Sequence, residues 1–247
     1  MTHHIAHALV PRVTMNRQIL SRRLFVALTP LAAAACARAP LTDVAIVPPG
    51  ARRRGYNPAM ADIYGELDDE RFPVPAIDIS NIDPQYLRQA VAYRGPQQPG
   101  TIIVDPANYF LTLVVGDGKA VRYGVGVGRE GFGWSGAANI RRKAEWPTWT
   151  PPSQMIVRQP ELEQYRRGMP GGLENPLGAR AMYLYQGDRD TLYRIHGTNE
   201  PDTIGSSVSS GCIRMFNQDV IDLYRRTVLG SKVIVLRSDR NWQEPSA

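Results

Sequence analysis

The sequence has few of the residues that bind metals or form disulfides. Its 247 residues include two cysteines, Cys36 and Cys212, and four histidines, three of which lie within the first seven residues. The fourth is His196. A structural zinc site needs three or four soft ligands, and a disulfide scaffold needs several cysteines. We therefore expect no metal site and no structural disulfide.

The sequence also lacks long basic runs, although its formal net charge is +6. Its tightest runs, residues 52 to 54 and 141 to 143, have three basic residues each. Runs this short are typical of a solvated surface rather than of a nucleic-acid interface. We expect no nucleic-acid partner, whereas a basic face also suits an anionic wall polymer.

The apolar run near the N-terminus, LFVALTPLAAAACA, is too short for a membrane span of about 20 residues. Arginines precede it and small residues end it, so residues 1 to 36 are predicted to be a cleaved signal for export to the periplasm. Residues 21 to 25, SRRLF, resemble the twin-arginine motif, with an ordinary Sec signal as the alternative. Met15 would be a more usual start than Met1.

Cys36 ends this apolar run and leaves a second interpretation open. Ala33, Ala34 and Ala35 precede it and partly resemble a lipoprotein box, which would attach a lipid to Cys36. Such boxes usually have leucine where this chain has Ala33. With either outcome Cys212 is the one unmodified thiol of the mature chain, in a compartment that would permit disulfides.

The remainder divides by composition into three segments. Residues 37 to 99 have little apolar periodicity and are predicted to be a linker or arm, in which Asp83 and Pro84 open a short helix. Residues 100 to 238 are predicted to form the catalytic domain, and residues 239 to 247 a tail.

The predicted domain is mainly β. Three β-branched runs, 101 to 104, 108 to 115 and 119 to 127, predict an antiparallel meander with a hairpin turn at Asp117 and Gly118. Further strands are predicted at 181 to 185, 191 to 196 and 232 to 237. One helix follows Cys212, with Asn217 as its predicted N-cap and apolar residues at positions 220, 223, 224 and 228.

Two tryptophans lie in the proline-rich segment WPTWTPP. Trp146 and Trp149 are candidates to line a substrate groove, because prolines make the segment rigid and irregular. The alternative is that they fill the core.

His196 and Cys212 are 16 positions apart, in a loop rich in glycine and serine. A thiol with a pKa of about 8.5 needs a base to become a nucleophile at neutral pH, and an imidazole supplies one and later protonates a leaving amine. Small residues such as Gly211 let backbone N–H groups approach an oxyanion. Either residue alone is more often structural, but together they predict a cysteine nucleophile with a histidine base.

The string HGT, a loop, and then SSGCIRM resemble the signature of the L,D-transpeptidases with a YkuD-like catalytic domain. The resemblance covers about Gly100 to Arg237. It implies a mostly β sandwich or barrel with a short helix after the catalytic cysteine.

By this resemblance Cys212 is the nucleophile, His196 is the general base and acid, and Gly197 orients the imidazole through its carbonyl. The substrate or oxyanion loop would contain Ser209, Ser210, Gly211 and Arg214. Many members have histidine where this chain has Ser210. Arg214 has two alternatives, contact with a substrate carboxylate and a structural salt bridge.

The reaction that the resemblance implies is acyl transfer on peptidoglycan stem peptides, without a cofactor. Cys212 would attack a tetrapeptide stem, release D-alanine and pass the acyl group to an amine of another stem, an outer-membrane lipoprotein or a free D-amino acid, or to water. An L,D-carboxypeptidase or a hydrolase that detaches lipoprotein from the wall would share this site. A catalytically silent wall-binding module is the alternative from another class. The sequence does not indicate the oligomeric state.

Overall fold

The computed structural model describes residues 58 to 128, 134 to 209 and 211 to 237. The predicted export signal, Cys36, Ser210 and the predicted tail lie outside the described residues. The strands are Gln89–Ala92 (β1), Ile102–Asp105 (β2), Phe110–Gly116 (β3), Lys119–Gly124 (β4), Val127–Gly128 (β5), Gly136–Glu145 (β6), Arg180–Gln186 (β7), Arg189–His196 (β8), Ser207–Ser209 (β9), Ile213–Arg214 (β10) and Lys232–Val235 (β11). The α-helices are Pro58–Ile63 (α1), Ser153–Arg158 (α2) and Asn217–Arg226 (α3), and short 3-10 helices span Ile79–Asn81, Pro84–Tyr86, Pro160–Tyr165 and Pro201–Thr203.

Nine of these strands form one sheet in the order β1-β4-β3-β2-β11-β6-β7-β8-β10. Strand β11 joins the two halves, because it pairs parallel with β2 and antiparallel with β6. Strands β5 and β9 form a separate parallel pair. The predicted mainly β fold class is confirmed. Among the described residues, no helix is long and apolar enough to cross a bilayer.

The predicted meander is confirmed as β2, β3 and β4, which pair antiparallel in sequence order. Asp117 and Gly118 connect β3 to β4 with φ values of 52° and 68°. Two consecutive positive φ values are what a type I′ hairpin turn requires, and Asp-Gly adopts them readily. Local chemistry therefore determines this part of the sheet.

One hydrophobic core receives side chains from both halves of the sheet. Leu111 and Tyr123 come from the meander, Leu184 and Ile195 from β7 and β8, and Leu223 from α3. All five are fully buried. Burying an aliphatic side chain of this size contributes about 1.5 to 3 kcal/mol, so the shared core fixes β8 against the rest of the domain.

The predicted helix after Asp83 is wrong beyond its first turn. The Asp83 carboxylate accepts a hydrogen bond from the Gln85 N–H (3.1 Å), and a three-residue 3-10 helix follows. The chain then becomes extended as β1, where Val91 lies opposite Ala120 of β4. Residues 89 to 92 form backbone hydrogen bonds with the edge of β4. This pairing outweighs the helix-forming signal at Asp83 and Pro84.

The segment before β1 is joined to α3 by buried polar contacts. The Tyr64 hydroxyl donates to Asp219 (3.0 Å) and accepts from the Arg88 N–H (2.7 Å). The Arg88 guanidinium lies 3.6 Å from Asp219 and 2.8 Å from Asp222. Burial raises the pKa of the Asp219 carboxyl to about 7, because desolvation outweighs the attraction of Arg88.

Helix α3 differs from its prediction at both ends. Phe216 is the N-cap residue, whereas Asn217 is the first helical residue and bonds to other segments. The helix ends at Arg226, and Val228 is 69% exposed rather than part of an apolar face.

Candidate active site

Strands β8 and β10 bring the two predicted catalytic residues to neighbouring positions. They pair parallel, with Ile213 opposite Ile195 and Arg214 opposite His196. Because paired residues share a face, the two isoleucines enter the core while His196 and Arg214 lie on the other face. Cys212 directly precedes β10, and its Sγ is 4.0 Å from the Leu192 carbonyl oxygen of β8.

The imidazole of His196 is held in one orientation. Its Nδ1 lies 2.5 Å from the Gly197 carbonyl oxygen, and the residue is 4% exposed. A carbonyl oxygen only accepts hydrogen bonds, so Nδ1 carries the proton of the neutral ring. Nε2 therefore has the lone pair, as a general base requires.

The His196 ring is neutral at physiological pH. Burial lowers its pKa to about 4, because the charged form loses its hydration. The Gly197 carbonyl opposes this shift, while the guanidinium groups of Arg214 and Arg194 strengthen it.

The Cys212 thiol is also neutral at rest, because burial raises its pKa. The Arg194 backbone N–H and the positive charges of Arg194 and Arg214 lower that pKa, which favours the thiolate as it forms. A protonated thiol and an unprotonated imidazole thus lie on adjacent segments of the sheet, and these protonation states are the ones that general-base activation of a thiol starts from.

Strand β8 contains a bulge that lies beside the Cys212 thiol. Asp190 pairs with Tyr185 and Arg194 with Tyr183, so three residues of β8 lie opposite one residue of β7. Leu192 is in this bulge, with φ of 65° and 76% exposure. The bulge interrupts the alternation that the sequence suggests for TLYRIH, and it brings the Leu192 carbonyl to the thiol.

Arg194 is absent from the predicted site residues, yet its charge acts on both the thiol and the imidazole. Asp190 holds its guanidinium through two hydrogen bonds of 2.7 and 2.8 Å, and the group lies 4.5 Å from the Tyr183 ring centroid. Arg194 lies two residues before His196 in the same strand, and residues at this spacing point to the same face of a sheet. The sequence could therefore have indicated Arg194 as a site residue.

Arg214 forms the ion pair that was one of its two predicted alternatives. Its Nη1 donates to Glu200 Oε2 at 2.6 Å. Its backbone exchanges hydrogen bonds of 2.9 and 3.0 Å with Gly126, so β10 is held on both sides. The guanidinium is therefore tied to Glu200, the N-cap residue of the 3-10 helix Pro201–Thr203.

The loop before Cys212 is only partly described. Strand β9 ends at Ser209, opposite Gly128 of β5. Gly211 has φ of 129°, a conformation that favours glycine. Near it Tyr193 and Trp134 form an aromatic pair with ring centroids 5.4 Å apart, and no motif in the sequence indicates this pair.

The tryptophan predictions have different outcomes. Trp146 is 5% exposed, packs edge-on against Phe72 with centroids 5.0 Å apart, and donates its indole N–H to Glu70 (3.2 Å). Groove lining by Trp146 is therefore wrong, because the segment before β1 covers it. Trp149 is half-buried and exchanges backbone hydrogen bonds with Met169, so its groove role stays a prediction.

Within the described ranges, no group of three or more histidine, cysteine, aspartate or glutamate side chains is placed to hold a metal ion.

The family model and the curated relatives agree on one family. Residues 99 to 235 match the YkuD family, described as an L,D-transpeptidase catalytic domain. The probable L,D-transpeptidase ErfK/SrfK of Escherichia coli K12 is 33% identical over 141 residues, which are 55% of this chain and 43% of that protein. The probable L,D-transpeptidase YbiS of the same strain is 34% identical over 114 residues, 44% of this chain and 35% of that protein.

A solved structure from Brucella melitensis, described as a probable carnitine operon oxidoreductase, is 51% identical and covers 64% of this chain and 99% of its own, with a TM-score of 0.44. At that TM-score the likeness says nothing about activity. The present chain spans less than half the length of the two curated relatives.

Proposed function

Because the chain belongs to the YkuD family of L,D-transpeptidase catalytic domains, we propose that it is a cysteine acyltransferase acting on peptidoglycan stem peptides. The observation that carries the proposal is the pairing of β8 with β10. It sets a neutral, oriented His196 on the strand beside Cys212.

The first half-reaction transfers the acyl group to the enzyme. His196 Nε2 takes the thiol proton, and Sγ attacks the carbonyl carbon of the residue before the terminal D-alanine of a tetrapeptide stem. The carbon–nitrogen bond then breaks, His196 returns the proton to the leaving amine, and D-alanine departs. A thioester remains on Cys212.

Two features of the site stabilise the negative charge that this step creates. The guanidinium groups of Arg194 and Arg214 favour the thiolate. The backbone at Gly211 and Cys212, just before β10, is where N–H groups would meet the oxyanion of the tetrahedral intermediate.

The second half-reaction reverses the proton transfers. An acceptor amine loses a proton to His196 and attacks the thioester, which restores the thiol and forms a new amide. The amine can come from a second stem, an outer-membrane lipoprotein or a free D-amino acid. Water in its place gives the L,D-carboxypeptidase or lipoprotein-detaching hydrolase, which uses the same residues.

The substrate lies outside the cytoplasmic membrane, so the proposal includes export to the periplasm by the predicted signal at residues 1 to 36. Attachment of a lipid to Cys36 is the alternative to release after cleavage. The silent wall-binding module has less support, because such a module has no need of an oriented imidazole beside a thiol.

The test is incubation of the purified protein with tetrapeptide muropeptides, followed by separation and mass analysis. The proposal predicts crosslinked dimers and free D-alanine, and neither product from Cys212→Ala. Tripeptide products without dimers would replace the transferase with the hydrolase. Absence of any product from the wild type, with the fold intact by circular dichroism, would leave the binding module.

A further inference from the structure

We propose that Asn217 is a positioning residue, which keeps the proton of the neutral His196 ring on Nδ1 by fixing the peptide group that Gly197 contributes. The inference rests on the proposed function only in naming His196 as the base.

The carboxamide of Asn217 bridges two segments that are distant in sequence. Its Oδ1 accepts a hydrogen bond from the Ala179 N–H (2.9 Å), just before β7. Its Nδ2 donates to the Thr198 carbonyl (3.0 Å), just after β8. One side chain at the start of α3 therefore holds the beginning of one strand against the end of its neighbour.

The bridge acts on the carbonyl group that orients the imidazole. The Gly197 carbonyl belongs to the peptide unit between Gly197 and Thr198. Asn217 Nδ2 holds the carbonyl of the following unit, and Asn217 Oδ1 packs against the Cα of Gly197, so the carboxamide restrains the chain on both sides of the Gly197–Thr198 unit. On the other side, the Gly197 N–H donates to Arg180 (3.0 Å) and the His196 carbonyl accepts from Met215 (2.9 Å). The Gly197 oxygen consequently stays at 2.5 Å from Nδ1.

Close packing around the carboxamide gives independent support. A Cβ atom added to Gly197 or to Gly178 would collide with Asn217 Oδ1. Gly178 also has φ of 61°, which favours glycine. Both backbone segments thus approach the amide more closely than any larger residue would permit.

The bonding pattern requires an amide in particular. Oδ1 must accept and Nδ2 must donate, and of the side chains of this size only asparagine does both in that geometry. Aspartate keeps the bond from Ala179 but places a carboxylate oxygen against the Thr198 carbonyl, so Asn217→Asp removes one half of the bridge with no change in volume.

Gln218 supplies a matched control on the same helix. Its Nε2 donates to the Gly65 and Pro75 carbonyls (3.2 and 3.0 Å), and neither residue is in the site. Gln218→Glu therefore loses buried amide bonds of the same kind, next to Asn217 in sequence, without affecting Gly197.

The experiment measures the tautomer of His196 in the resting protein by long-range nitrogen–proton NMR. In the wild type and in Gln218→Glu we expect the neutral ring with its proton on Nδ1. In Asn217→Asp we expect a mixture of tautomers and a fall in kcat for D-alanine release of about 100-fold, with little change in KM, because misplacing a catalytic group by about 1 Å costs that much.

Unfolding by urea reports the stability loss of each variant. The inference is overturned if Asn217→Asp keeps the wild-type tautomer, or if Gln218→Glu loses activity equally at equal loss of stability. If Asn217→Asp does not fold, Asn217→Ala, which removes both hydrogen bonds of the bridge, is measured by the same criteria. The tautomer needs no substrate, so a wild type that releases no D-alanine refutes the proposed function and leaves this inference open to its own test.

Discussion

Replacing Asp219 with asparagine should change how the stability of the protein depends on pH. The carboxyl is fully buried in the first turn of α3, where it accepts a hydrogen bond from Tyr64 and faces Arg88 at 3.6 Å. Its pKa in the folded protein is about 7. In the unfolded chain it returns to about 3.9.

The sign of the effect follows from proton binding. Between these two pKa values the folded state holds a proton that the unfolded state has released, so the stability from this group is complete below about pH 4 and is lost as the pH rises through about 7. At about 1.4 kcal/mol for each pH unit, the loss between about pH 5 and pH 8 is roughly 3 kcal/mol.

Two other groups must be separated from this effect. Asp222 has a lowered pKa, so its contribution is lost only as the pH falls below about 4. His196 has a pKa lowered to about 4, so its contribution grows as the pH rises toward about 6.5. Asp219→Asn leaves both groups in place, and the difference between the two proteins isolates Asp219.

The assay is urea unfolding followed by tryptophan fluorescence at several pH values from about 5 to 8. We expect the unfolding free energy of the wild type minus that of Asp219→Asn to fall by roughly 3 kcal/mol across this range. A difference that stays constant within about 0.5 kcal/mol would refute the reasoning.

Three further substitutions test other parts of the structure. Gly197→Ala should abolish D-alanine release and lower the melting temperature, because its Cβ would collide with the neighbouring carboxamide, whereas Gly172→Ala has open space and should change neither. Arg194→Gln should move the pH midpoint for alkylation of Cys212 by iodoacetamide upward, since the thiolate loses a positive neighbour; an unmoved midpoint would count against that role. Trp146→Phe should cost about 1 to 3 kcal/mol of stability by urea titration with wild-type kcat, and a reduced kcat at full stability would restore its groove role.

The parts of the fold that local chemistry determines could be predicted from the sequence. The meander follows from alternating β-branched residues and an Asp-Gly turn, and α3 follows from apolar residues at helical spacing. Strand β1 could not be predicted, because residues 89 to 92 become extended only by pairing with β4.

The candidate site divides in the same way. His196, Gly197 and Cys212 belong to one recognisable sequence motif, so their proximity in the fold could be predicted from the sequence. The roles of Asn217 and Trp146 depend on Thr198, Ala179 and Phe72, which are far from them in sequence. The bulge at Leu192 depends on the register of β7 against β8, which the spacing of one strand does not contain.

The most direct test of the proposed chemistry is the intact mass of the protein after brief incubation with a tetrapeptide muropeptide and acid quenching. We predict a covalent adduct equal to the muropeptide less D-alanine, mapped by proteolysis to Cys212 and absent from Cys212→Ala. Release of D-alanine by Cys212→Ala at the wild-type rate, or an adduct mapped to another residue, would contradict the assignment of Cys212 as the nucleophile.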